Sequence, residues 1–257
     1  MEEILFLAAA GILGGIVNSL AGGGSFITFP ALIAVGVPPV IANASNTFAA
    51  TAGYLSGTYA LRQEIKDSPK KLLILSFISA IGGIIGAYLL TQTSNSEFEK
   101  AVPWLLLFAT VLFIYGGHFN KTLQKWGQQH RHIDKAQNGL FTLLFIGVSI
   151  YGGFFNAGLG ILLLSYCSLA GYRSVNEMNA LKLLYSSTIS GCAIVLFLIN
   201  DLISWNETLV LLVGTLIGGY AAGIVSKRIP NSWVRRAIIF ASTGITLWFF
   251  MSTYLLS

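Results

Sequence analysis

The chain has 257 residues, 54% of them hydrophobic and only 10% charged, with a mean hydropathy of +0.73 and a net charge of +5. A soluble globular domain of this length does not carry that balance, so lipid must solvate most of the surface. The basic residues sit in short loops between apolar runs rather than in a patch interleaved with aromatics, which argues against nucleic acid as a partner.

Apolar runs occupy 4–20, 25–36, 39–60, 72–91 and 103–119, then 138–156, 158–170, 176–199, 207–225 and 237–256. None shows the inside/outside alternation of an outer-membrane barrel, so helices are what remains to satisfy the backbone in lipid. The first run opens with Glu2 and Glu3 where a secretory signal carries positive charge, which fits a retained helix. It closes on Asn18 and then three consecutive glycines, Gly22, Gly23 and Gly24. Triple glycine at membrane depth is costly for a helix unless the chain must turn there with its backbone bare. A new helix starting at Ser25 would present unpaired N–H groups and a positive dipole end, which together suit an anion. Close helix packing is the alternative use of these glycines. At 1.5 Å per residue the run 25–36 spans only about 18 Å of a hydrocarbon core about 30 Å thick. It reads as a broken or re-entrant half-helix.

The run 39–60 places Asn43 and Asn46 three apart on one helix face. The loop 62–71 then carries Arg62, Lys66, Lys70 and Lys71, whereas 92–102 carries only Lys100. A basic connector follows at 120–137, with Lys121, Lys125, Arg131 and Lys135; its His130 and His132 lack the further ligands a metal site needs. In the second half Asn156 precedes a weaker glycine break at Gly158 and Gly160, and 158–170 is again too short to span. The run 176–199 carries Asn179 and Lys182 at the spacing of Asn43 and Asn46. An ionisable residue inside an apolar helix is a functional candidate by default. Snorkelling to the interface is the bland reading of Lys182, and Glu177 could pair with it or act as a helix N-terminal charge. Cys167 and Cys192 have no CxxC spacing and read as small apolar side chains.

Shifting the chain by 136 positions lays Asn43-Ala44 on Asn179-Ala180 and Gly82-Gly83 on Gly218-Gly219. This divides the chain into a first repeat, 1–119, the connector, 120–137, and a second repeat, 138–257. The basic loop changes place between the copies, because 200–206 has no Lys or Arg while 226–236 has Lys227, Arg228, Arg235 and Arg236. Lys and Arg mark the cytoplasmic side, so the copies are expected in opposite orientations, with both chain ends outside. The expected fold is all-α: a polytopic membrane helical bundle of two inverted repeats.

The stretches GILGGIVNSLAGGGSFITFPAL and GVPPVIANASNT resemble the TauE/SafE family of membrane permeases, often called sulfite exporters, and the likeness extends over essentially the whole chain. The resemblance implies transport of sulfur-containing or organic anions, such as sulfite, sulfonates or sulfur carboxylates, across the bacterial inner membrane. The residues agree in sign, since no Asp or Glu lies deep in an apolar run. The expectation is a multi-pass secondary carrier, not an enzyme, working by alternating access without a cofactor, with a small anion and the bilayer as partners. A homo-oligomer is compatible with it. The substrate would be held by Asn18, Gly22, Gly23, Gly24, Ser25, Asn43, Asn46, Asn156, Asn179 and Lys182. An anion channel would use the same positive helix ends. A membrane-embedded enzyme is disfavoured because neither HExxH nor GxSxG occurs.

Overall fold

The computed structural model describes residues 1–129, 135–172, 174–225 and 231–255. His130, Arg131, His132, Lys227 and Arg228 of the basic loops lie outside the described residues. The helices in chain order are α1 (Glu2–Ala21), α2 (Ser25–Ala34), α3 (Pro39–Ala60), α4 (Pro69–Thr91) and α5 (Asn95–Gln129), then α6 (Lys135–Phe154), α7 (Leu159–Leu169), α8 (Val175–Ile199), α9 (Trp205–Val225) and α10 (Asn231–Tyr254). Each apolar run of the sequence is one helix. The largest departure is α5, which continues through Gln129, so the first part of the 120–137 connector is helical rather than a loop.

Local chemistry sets several starts. Pro39 and Pro69 stand in the first turns of α3 and α4, where a missing N–H costs nothing. The Ser174 hydroxyl accepts the Glu177 N–H at the head of α8, which assigns Glu177 to the helix start. At α5 the Ser94 hydroxyl accepts the Glu97 N–H while the Glu97 carboxylate accepts the Ser94 N–H, a reciprocal capping box.

Two helices, Pro69–Thr91 and Val175–Ile199, are long and apolar enough to cross a bilayer, with mean hydropathies of 2.2 and 1.7. The outer faces of α4 and α9 expose Leu73, Phe77 and Ile81, and Leu209, Val213 and Ile217. Such a surface suits lipid and not water. Inside, hydroxyls are quieted by their own helices: Thr47 donates to the Asn43 carbonyl, Thr51 to Thr47 and Ser149 to Phe145.

The two short helices are the half-helices that the sequence suggests, with 10 residues in α2 and 11 in α7. Each begins after a glycine in the left-handed region, Gly22 at φ 76° and Gly158 at φ 84°. These glycines are 136 positions apart, and any other residue would be strained at either. α2 turns back into α3, and α7 into α8. The Val40 N–H of the first hairpin bonds to Asn95 Oδ1, just after α4, at 3.2 Å. Tyr172 at the second tip instead donates to Asp67, just before α4. The two tips therefore lie at opposite ends of a 23-residue helix, about 35 Å long.

The packing partners also pair off. α1 lies on α9 as α6 lies on α4; α2 touches α10 as α7 touches α5; α3 packs on α8 and α5 on α10. Exchanging the first five helices for the last five leaves this pattern intact. Thr110 on α5 and Thr246 on α10, 136 positions apart, touch each other at 3.2 Å between hydroxyls. The α1/α9 and α4/α6 crossings are backbone-close, since a Cβ on Gly218 would stand 2.0 Å from the Ile12 carbonyl oxygen and one on Gly153 2.3 Å from that of Gly83.

Candidate functional site at the helix breaks

The two breaks meet in the interior. A Cβ on Gly22 would stand 3.6 Å from Lys182 Nζ and 3.7 Å from Gly160 Cα, and one on Gly160 would lie 3.3 Å from the Gly22 carbonyl oxygen. The left-handed turn at Gly22, closed by its N–H bonding to the Asn18 carbonyl at 2.9 Å, thus abuts the start of α7. The Lys182 side chain lies across both. Residue 182 is 4% exposed and has no ion-pair partner among the described residues, so it is buried rather than snorkelled to an interface. The ammonium thus lies where α1 ends and α7 begins, with α2 starting three residues beyond Gly22.

The amides around it are partly spent. Asn43 donates from Nδ2 to the Phe154 carbonyl at 2.9 Å, which caps the end of α6, while its Oδ1 is buried without a partner. Asn46 Oδ1 accepts from the Thr28 hydroxyl at 2.5 Å and leaves Nδ2, a donor, buried and unpaired. Asn156 is used at both ends, accepting from Tyr54 at 2.7 Å and donating to Ser190 at 2.8 Å. The Asn18 side chain lies near the same Tyr54 hydroxyl. Asn156, spent on Tyr54 and Ser190, acts as a strut. Asn179 is half-buried on α8, without a hydrogen bond to its side chain among the described residues.

A cavity of about 650 Å³ leads to the first break. Asn18, Gly24, Ser25 and Thr28 form its deep end, and Gly14, Gly53, Gly57 and Gly219 its walls. Its mouth lies by Ala60 and Leu61, at the end of α3 that leads into loop 62–68, beside Tyr220. Of the sequence candidates, Asn18, Gly24 and Ser25 line this space. Gly22 and Lys182 lie behind them, and Asn43 and Asn46 flank the hairpin of α2 and α3. The sequence reading missed Thr28 and the glycine walls. Gly53 and Gly57 are four apart on α3, which is a small-residue stripe, but the partners it faces are more than 30 positions distant and no local pattern names them.

At the mouth end Lys71 Nζ bonds Asp67 Oδ1 at 3.0 Å and Tyr172 Oη at 2.6 Å, joining the α3–α4 loop to the tip of the second hairpin. Burial, with the Asp67 carboxylate next to it, pushes the Tyr172 phenol above its ordinary range. Both cysteines are free, Cys167 buried and Cys192 half-buried. Among the described residues no cluster of His, Cys, Asp or Glu could hold a metal ion.

The family described as "Sulfite exporter TauE/SafE" matches residues 7–249. A "Probable membrane transporter protein" of Haemophilus influenzae is 28% identical over 251 residues, covering 96% of this chain and 94% of its own length. The "Probable membrane transporter protein YfcA" of Escherichia coli K12 is 30% identical over 220 residues, covering 84% of this chain and 77% of its own. A Sinorhizobium protein named "Probable membrane transporter protein ORF9" is 26% identical over 218 residues. No solved structure matches. With its apolar helical bundle and a family match from one end to the other, this chain is a membrane transporter and belongs to the sulfite exporter TauE/SafE family.

Proposed function

We propose that the protein is a secondary carrier for a small sulfur-containing or organic anion, which it binds where Lys182 lies against the α1–α2 break and the start of α7. The observation that carries this reading is a buried ammonium lying against the break between α1 and α2 and the start of α7, with no carboxylate to balance it among the described residues. A buried ammonium without a counter-ion is costly in the empty protein, and an anion seated beside it would offset that cost. Asn46 Nδ2, buried and unpaired, and the Ser25 turn at the cavity are further donors within the same helix break region.

The repeats are read as inverted, which the opposed hairpin tips and the exchange-invariant packing support. Alternating access then follows from the two repeats trading geometries around a fixed centre. The displaced basic loops put loop 62–71 on the cytoplasmic side of the bacterial inner membrane. The exposed end of the cavity, by Ala60 and Tyr220, supports reading this conformation as inward-facing.

Anion flux in proteoliposomes tests the reading, with sulfite, short sulfonates and sulfur carboxylates offered one at a time. Saturable flux of at least one of them, reduced roughly tenfold or more by Lys182→Ala, is expected, since loss of one charge-assisted contact costs about 1.5–3 kcal/mol. Intact protein that moves none of these anions overturns it. Ohmic, unsaturable current would assign the same centre to a channel.

A further inference from the structure

The cavity occupies one side of a pseudo-symmetric bundle, so its image on the other side can be found residue by residue. The repeat shift takes Gly53 of α3 to Ile189 of α8 and Gly219 of α9 to Gly83 of α4. The aligned GG pairs of α1 and α6 take Gly14 to Gly152. Gly14, Gly53 and Gly219 all line the open cavity, and a Cβ on Gly53 would meet nothing within 4 Å. On the image side the corresponding three residues are in contact. Ile189 is fully buried, a Cβ on Gly152 would stand 3.2 Å from Ile189 Cγ2, and one on Gly83 3.0 Å from Ile189 Cα. Leu164 similarly stands where Thr28 stands in the cavity.

We propose that Ile189 is the gate residue of the second access path, filling the space that Gly53 leaves empty on the first. The two repeats share a backbone plan but not these side chains, so the two access routes differ in what closes them. Closing the first route requires helix movement, because at Gly53 the wall has no side chain to insert. Opening the second requires α6 to draw away from the Ile189 side chain and α4 from the α8 backbone at the same residue. The resting population is therefore biased toward the conformation seen here. This inference rests on the alternating-access reading for its meaning, but the accessibility it states is measured without transport.

The chain supplies its own reporter. Ser56 lines the open cavity, and its image under the repeat shift is Cys192, a free thiol. A membrane-impermeant maleimide would be applied from either side of oriented vesicles. Ser56→Cys, in a background with Cys167→Ala and Cys192→Ser, should label from the side of loop 62–68 only. Cys192 itself, in the Cys167→Ala background, should resist the reagent from both sides. Ile189→Gly should make Cys192 label at least about tenfold faster from the opposite side, as the second path opens. Gly53→Ile is the reciprocal variant, placed where there is room for it, and should slow Ser56→Cys labelling by a similar factor. Equal labelling of Ser56→Cys and Cys192 in the parent backgrounds, or reciprocal variants that leave both rates unchanged, overturns the proposal. Should Ile189→Gly fail to fold, the Gly53→Ile result decides. The expected labelling with no anion flux would sink the carrier reading and leave the asymmetry standing.

Discussion

Lys182 has its side chain laid against the end of α1 at Gly22 and the start of α7 at Gly160. Burial of an ammonium costs several kcal/mol even after relaxation, and here no acidic partner among the described residues offsets that cost. On the proposed carrier reading, that cost is relieved when an anion arrives. The consequence is a prediction with two opposite signs. Lys182→Met keeps the stem and removes the charge, so it should stabilise the empty protein by removing the burial cost of an unpaired ion. The same variant should lose the anion-dependent rise in melting temperature, which for an intact site amounts to about 2.7 kcal/mol at a ligand concentration of 100 Kd. Thermal unfolding in detergent, with and without the transported anion, reads both. A destabilised Lys182→Met that still responds to anion would make Lys182 a packing residue. The sequence exposed Lys182 and Asn46 as a matched pair, because both sit at one repeat position. It did not expose that Asn156 is consumed by Tyr54 and Ser190, since those partners come from α3 and α8 and no spacing along the chain encodes them.

At the scale of elements, the half-helices were legible because their cause is local: a glycine in the left-handed region and a length too short for the bilayer. The extent of α5 was not. Its last turns are polar, and hydropathy reads a polar stretch as a loop, whereas outside lipid such a stretch is free to stay helical. The contact that joins the α3–α4 loop to the second hairpin also escaped, because Asp67 and Tyr172 are 105 positions apart. This contact has a testable pH dependence. The Tyr172 phenol is pushed above its ordinary value, near 10, by burial and by Asp67, so the folded protein holds its proton where the unfolded chain has released it. Its stabilising contribution is complete below about pH 10 and is lost as pH rises beyond that. Melting temperatures recorded from pH 8 to 11 should fall at the alkaline end, and Tyr172→Phe should flatten that fall while lowering stability at pH 8. A wild-type alkaline slope that persists unchanged in Tyr172→Phe would assign it elsewhere.

For the whole molecule, the interleaving of the repeats matters more than their duplication. α1 packs on α9 and α6 on α4, so neither repeat keeps its own first helix beside its own fourth. On the proposed carrier reading, the two cannot rock as separate bodies without dragging each other, so a change of access is expected to be a concerted exchange. Such an exchange has a geometric signature. If the second state is the first with the repeats' roles swapped, any distance between a residue and its own image is the same in both states, because swapping the pair returns the same pair. Thr110 and Thr246 are such a pair, 136 positions apart and 3.2 Å between hydroxyls. Thr110→Cys with Thr246→Cys should therefore form a disulfide, in a background lacking Cys167 and Cys192, and the oxidised protein should transport at close to the reduced rate. A link between residues that are not images of each other carries no such protection. Thr58 and Ser187, 3.3 Å apart across α3 and α8, are of this kind, their images being Ile194 and Thr51. Oxidising Thr58→Cys with Ser187→Cys should arrest flux, and reduction should restore it. Arrest by the first link would show that the repeats do not trade places about a two-fold axis, whatever the anion.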